Sequence, residues 1–144
     1  MPRGSESEQP CLGMTAGFLA LAESVPGLPG LKAAKRARDL VGSFYFKDPK
    51  GYHVANTWAK LNHPASMLDL AAVGRTLLTL GHKSPALKRG ADYLMTRRNP
   101  DGTWPLDGHP YRPPVGPGRR GQPHPWVTLR VLRFLKAAGG WTPG

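Results

Sequence analysis

Acidic residues are scarce in this chain of 144 residues: nine Asp and Glu stand against twenty Lys and Arg, for a net charge of +11. Cysteine is nearly missing. The single one, Cys11, excludes an intramolecular disulfide framework and any multi-cysteine zinc site, and is expected as a small buried apolar side chain. No apolar run approaches the roughly 20 residues that span a bilayer, and the N-terminal MPRGSESEQP lacks the apolar stretch of a signal peptide. A soluble, cytoplasmic chain without a membrane span is the expectation, with residues 1–10 and 141–144 as tails, the first disordered. Strand signals are also almost absent. Only FYF at 44–46 is β-prone, and it continues a helical pattern.

Hydrophobic residues make up 40% of the chain, enough for a core, and its length suits one domain, placed at residues 11–140. Eighteen glycines and sixteen prolines divide the structured segments by sizeable loops. The positive charge invites a nucleic-acid reading, but the basic residues are scattered along the chain. Even the densest cluster, KAAKRAR at Lys32–Arg38, is followed at once by Asp39. A solvated arginine-rich surface accounts for this better than a phosphate-binding face does.

Five helical segments follow from apolar periodicity and stop signals, at about 11–24, 31–46, 65–80, 84–98 and 126–138. Ser84-Pro85 is a cap followed by a first-turn proline, Gly81 a C-terminal stop, and Asp48-Pro49 the end of the second segment. The chain therefore reads as all-α. Two turns repeat: DPKGY at 48–52 and NPDGTW at 99–104. Each leads to a His-Pro pair, His63-Pro64 and His124-Pro125, and then to an apolar helix. The turns are 51 residues apart and the His-Pro pairs 61, the difference being the filling RPPVGPGRRGQP. Two repeats, about 31–81 and 85–139, are thus visible, with the first helix as half of another pair. Such units bury their apolar faces against one another.

The third and fifth segments, with MLDLAAV and WVTLRVLRFL, are apolar over most of their circumference, whereas the second and fourth carry Lys32, Lys35, Arg36, Arg38, Lys88, Arg89, Asp92 and Arg97. This predicts two layers: an inner one of helices 1, 3 and 5 and a solvated outer one of helices 2 and 4.

Across the second turn, Arg89, Gly90, Tyr93, Leu94, Gly102 and Trp104 match a spaced pattern, with Arg98 where glutamine is expected. The pattern resembles the QW motif of the terpenoid cyclase and protein prenyltransferase superfamily, and HPWVTLRVLRFLKAAG resembles the helices that end uncharacterised bacterial members. The resemblance extends over most of Cys11–Gly139, more weakly in the first repeat. It implies a partial α/α toroid, with inner and outer helices around a cavity, similar to the C-terminal half of a longer protein. It also implies that Trp104 is a structural staple on the end of the outer helix, with the Arg98 guanidinium stacked on it.

The family's catalytic devices are not carried over. There is no DxDD acid cluster, and Gln9 stands two residues before Cys11, where the zinc-binding pattern needs Asp. His63 and His124 are expected to open helices rather than bind metal, and His53, His82 and His109 lie in loops without partners at ligand spacing. No cofactor, metal or catalytic residue is therefore expected, and the chain leans away from being an enzyme. A prenyltransferase-like or cyclase-like enzyme fragment is the alternative, and a basic nucleic-acid binder the second.

Asp69 and Arg130 are 61 residues apart, the offset of the His-Pro pairs, so they are expected at equivalent positions on successive inner helices. Thr76 follows Asp69 at i+7, and Arg133 follows Arg130 at i+3. These four either pair across the repeat or face the cavity, where Arg130 and Arg133 would hold the anionic head of an apolar, isoprenoid-like ligand. The unpaired first helix leaves an apolar edge for self-association or a partner chain. Replacing Trp104 by Ala is expected to lower the melting temperature; an unchanged thermal melt would remove the staple assignment.

Overall fold

The computed structural model describes residues 11–47, 58–65, 68–109 and 118–139. They form five α-helices: α1 (Leu12–Ser24), α2 (Lys32–Phe44), α3 (Leu70–Thr79), α4 (Pro85–Thr96) and α5 (Pro125–Ala137). A 3-10 turn, Leu28–Gly30, joins α1 to α2. The described residues contain no strand, only isolated bridges between Asn62 and Gly108 and between Pro105 and Pro123. None of the described helices is long and apolar enough to cross a membrane. The DPKGY turn, the tails and the filling at 110–117 lie outside the described residues.

The helix ends follow from local chemistry. The Ser84 hydroxyl accepts the Ala86 amide at 3.2 Å, and Pro85 occupies the first turn of α4, where its missing N–H costs nothing. His124 caps α5 in the same way, its Nδ1 accepting the Val127 amide at 3.4 Å. Two expected boundaries shift. The third helix begins at Leu70 rather than near Ala65, because the Asp69 carboxylate accepts the Ala72 amide at 2.8 Å and takes the cap itself. His63-Pro64 therefore does not open a helix. The second helix stops at Phe44; Tyr45 turns extended and Phe46 takes a φ of 51°, so FYF leaves the helix instead of prolonging it. Cys11, expected inside, is exposed just ahead of α1.

The helices form two layers. In the first, α1 packs on α3 and α3 on α5, so the three run side by side; in the second, α2 covers α1, and α4 covers α3 and α5. Burial follows the polarity expectation only in part: α3 buries Leu70, Ala71, Val73, Gly74, Thr76 and Leu77 and α2 only Ala34, Val41 and Gly42, but α5 exposes Trp126 and Leu129, while α4 of the second layer buries Ala86, Leu87, Gly90, Ala91 and Leu94. An outer-layer cation also stabilises an inner helix: Arg38 of α2 donates to the Leu80 carbonyl at the C-terminus of α3, 3.1 Å away, where the helix dipole favours positive charge.

Tyr45 joins the layers. Fully buried, its hydroxyl donates to the Leu70 carbonyl at 2.7 Å, and its ring meets Trp58 edge-on at 5.3 Å. Burial, and then the nearby Asp69 charge, push its phenol well above the ordinary tyrosine range, so it remains a donor. The ring fits because two helices offer no side chain beneath it. A Cβ at Gly74 would lie 2.5 Å from the Tyr45 hydroxyl and 2.6 Å from Phe134, and one at Gly90 would lie 2.5 Å from Leu70 and 2.8 Å from that hydroxyl.

Opposite effects are expected from two Gly→Ala changes. At Gly74 the crowded methyl group destabilises the fold by about 1–3 kcal/mol, overriding its better helix propensity. At Gly17, on the open side of α1, nothing lies within 4 Å of an added Cβ, and alanine stabilises by about 0.5–1 kcal/mol. Urea denaturation of the two variants measures both signs.

Candidate functional site

The face of the first layer turned away from α2 and α4 holds the polar residues singled out above. Asp69 is 0% exposed. Arg130 of α5 reaches across to it, Nε 3.2 Å from Oδ1 and Nη2 3.0 Å from Oδ2, and the same Nη2 donates to the Asn62 carbonyl at 2.6 Å. Asp69 thus caps α3 and fastens it to α5, and Arg130 adds the 58–65 segment to both. Burial raises the Asp69 carboxyl above the ordinary carboxylate range, while Arg130 and then the Ala72 amide pull it back.

The two residues are not at equivalent depths. Asp69 stands ahead of its helix and Arg130 within the second turn of its own, because α5 begins directly after its His-Pro histidine and α3 does not. Thr76 does not join Asp69 either. Its hydroxyl donates to Glu23 of α1 at 3.0 Å, and the other Glu23 oxygen pairs with Arg75 at 3.1 Å. Glu23 therefore does for α1 and α3 what Asp69 does for α3 and α5. Arg133 is the member of the predicted set that faces solvent.

Between these two clamps lies a cavity of about 440 Å³, bordered by Ala20, Ala72, Arg75, Trp126, Leu129 and Arg133 among others. One wall is apolar and accessible, with Trp126 60% exposed. The other is cationic and continues to Lys136, at an adjoining opening shared with Arg75 and Arg133. Arg75 and Arg130 are paired, but no carboxylate among the described residues is paired with Arg133 or Lys136. At the back, His63 stacks on Trp126 with centroids 6.4 Å apart and lies 5.0 Å from the His124 ring. The His63 imidazole falls below its ordinary range through burial first, then through His124 and Arg130, and among the described residues its buried Nδ1 has no hydrogen-bond partner. The two histidines that sequence places in separate repeats thus meet. Among the described residues no group of three His, Cys, Asp or Glu is arranged to hold a metal.

The QW-like residues form a different device on the outer layer. Trp104 is fully buried, and its indole N–H donates to the Leu94 carbonyl at 2.6 Å, a second donor to a carbonyl that also accepts the Arg97 amide at the end of α4. Its backbone N–H donates to Thr128 at 3.0 Å and its carbonyl accepts from His124 at 3.1 Å, which fixes the end of α4 to the start of α5. Gly102, at φ 85°, makes the turn, and Asp101 accepts from both the amide and the hydroxyl of Thr103. The Arg98 stacking expected on Trp104 is absent. Its Nη2 instead lies over the turn, 3.1 Å from where a Gly102 Cβ would sit, because the indole is already enclosed. Gly90 lies under Tyr45, Tyr93 packs on Phe46 at 5.3 Å, Leu94 is in the core and Arg89 is exposed.

Arg97 and Asp107 form a third clamp that no motif announces. Arg97 is not solvated as its neighbours on α4 are; it grips Asp107 with Nη2 at 2.6 Å and Nη1 at 3.3 Å, and this pairing raises its pKa. The Asp107 carboxylate also accepts the Leu61 amide at 2.7 Å. Beside it opens a cleft of about 660 Å³, with Lys60, Tyr93, His109 and Arg120 on its walls. The partners are ten residues apart across a turn, with no helical or strand period to link them.

Arg130→Ala strips the buried Asp69 of its counter-charge and is expected to cost about 3–5 kcal/mol at neutral pH. In that variant the folded-state pKa of Asp69 rises further above its unfolded value. The ionised group then opposes folding above the raised pKa, and the deficit narrows as pH falls towards about 4. Denaturation of wild type and variant across this range checks it; a deficit independent of pH would contradict the role given to Asp69. Comparison with family models, with curated proteins and with solved structures finds no match in any of the three.

Proposed function

We propose that the chain is a non-catalytic binding domain of the α/α-toroid type, related to the terpenoid cyclase and prenyltransferase superfamily, whose inner face takes a ligand with an apolar body and an anionic head. Kinship is supported by the two layers and by the Trp104 staple, which lies on the end of α4 as the QW resemblance implies. The observation that carries the function is the cavity at the inner face. Its volume of about 440 Å³ is in the range of small-molecule sites, and it sets Trp126 and Leu129 beside Arg75 and Arg133.

Binding fits this face better than catalysis does, because both of its described carboxylates are already engaged. Glu23 is held by Thr76 and Arg75, and Asp69 by Arg130 and the end of α3. Neither is free to give or take a proton at a substrate. Arg133, by contrast, is exposed at the border of the cavity and is paired with no carboxylate among the described residues.

Titration with a long-chain alkyl phosphate and with the matching neutral alcohol tests the reading. The phosphate is expected to bind, with a change in tryptophan fluorescence that Trp126→Leu removes. Arg133→Glu is expected to weaken it about tenfold or more, with little effect on the melting temperature. Equal affinity for alcohol and phosphate would remove the anionic-head assignment, and turnover of a prenyl diphosphate would replace binding by catalysis.

A further inference from the structure

The cleft beside the Arg97–Asp107 clamp is framed by stretches of chain that are bonded to one another. Residues 61–63 are tied to 107–108, the Asp107 amide donating to the Leu61 carbonyl at 2.8 Å and the His63 amide to the Gly108 carbonyl at 3.1 Å. Residues 121–122 are tied to Leu106, whose amide donates to the Gln122 carbonyl at 2.9 Å and whose carbonyl accepts the Gly121 amide at 2.7 Å. Arg97 reaches from α4 onto the middle stretch. The walls are therefore fixed relative to one another before any ligand arrives. Gly108, buried and without a side chain, lies where they join. The Asn62 side-chain oxygen is 3.1 Å, and Arg120 Nε 4.0 Å, from where its Cβ would be, so both side chains converge on this one residue.

These walls are rich in donors and short of acceptors. Asp107, the one carboxylate among the described lining residues, gives both oxygens to Arg97 and one of them also to the Leu61 amide. The Ala59 carbonyl already accepts from the Tyr93 hydroxyl and from Arg97, each at 3.4 Å. Lys60 and Arg120 are exposed, and no carboxylate among the described residues is paired with either. The Asn62 side-chain amide has no hydrogen-bond partner among them. The chain between His109 and Gly118 adds Arg112 and no acid. Two cations held without a carboxylate in one concavity repel each other and attract a shared counter-ion. The same charge turns away metal ions and amines.

We propose that this cleft is a second ligand site, for a phosphate group, free or carried by a small polar molecule, held by Lys60, Asn62 and Arg120. The arginine fork matches the oxygens of the anion, and the lysine adds a point charge. The volume of about 660 Å³ accommodates a phosphate with a polar body the size of a sugar. Nucleic acid fits less well, because its backbone needs cations spread along a track, whereas these side chains converge on one glycine. The site stands apart from the inner-face cavity, which none of the three residues borders.

NMR titration of the full chain with inorganic phosphate, ribose 5-phosphate and ribose, at an ionic strength held constant with sodium chloride, tests the proposal. Both phosphates are expected to bind with dissociation constants of about 1 mM or below, shifting the amide signals of Lys60, Gly108 and Arg120, and ribose is not. Tighter binding of ribose 5-phosphate identifies a carried group, and equal binding a free one. Arg120→Glu is expected to weaken both about tenfold or more at an unchanged melting temperature, and Asn62→Ala, which alters no charge, about threefold or more. Should Arg120→Glu disturb the fold, Lys60→Glu is read in its place, with the same expectation. Arg89→Glu and Arg133→Glu change the charge equally outside the cleft and are expected to leave binding as it was, the second separating this site from the inner face. The assignment is overturned by the absence of saturable binding at about 10 mM phosphate, by a loss in Arg89→Glu equal to that in Arg120→Glu, or by tighter binding of a short DNA duplex through the same residues.

Discussion

A buried carboxylate holds the inner layer in register. Asp69 satisfies the open amide end of α3, and its charge is balanced by Arg130, so one side chain fixes both where α3 starts and how it lies against α5. Neither role stands alone. A cap without the guanidinium would leave a fully buried anion, and an ion pair without the cap would leave α3 to begin elsewhere. Because Arg130 also carries the Asn62 carbonyl, the segment that brings His63 to the cavity is positioned by the same pair. The inner face is therefore rigid where it is paired, and available only where it is not, at Trp126, Leu129 and Arg133.

The outer layer is held by shape more than by charge. Tyr45 lies over two glycines, Gly74 on α3 and Gly90 on α4, and reaches the Leu70 carbonyl one residue past the cap that Asp69 provides. The residue that locks the layers and the residue that locks the inner row thus act on the same turn of the same helix. Trp104 performs the corresponding service at the other end of α4, handing the last carbonyls of the outer helix on to the first turn of α5.

The all-α class and the helix number were legible in the sequence because they rest on short-range rules: apolar period, capping residues, glycine and proline stops. The Asp69–Arg130 pair was legible through the repeat offset, which aligned the right residues even though it misjudged their depth. What escaped depended on the path of irregular chain. The Arg97–Asp107 clamp joins an outer helix to a loop that runs back beside residues 58–63, and no periodicity encodes that return. The start of α3 was misplaced because His63-Pro64 copies the sequence that opens α5 without copying its context. The QW resemblance implies Arg98 on Trp104, but the indole is fully buried and the Arg98 guanidinium lies by the turn at Gly102.

The excess of cations sorts itself by these constraints. Interior carboxylates take one arginine each: Glu23 takes Arg75, Asp69 takes Arg130, and Asp107 takes Arg97. Of the remaining cations on α2, Arg38 is half-buried against Asp39 and the Leu80 carbonyl while Lys32, Lys35 and Arg36 face water, and Arg133 and Lys136 form a rim on α5. The rim differs from the outer surface in one physical respect. It stands beside exposed aromatic and aliphatic groups in a concavity, where the dielectric falls and a charge attracts a counter-ion more strongly than on an open helix. α1, without a single cation, is the complement of that arrangement. The molecule thus presents two exposed apolar surfaces of opposite character, one edged by positive charge and one, at Met14, Phe18 and Leu21 of α1, neutral.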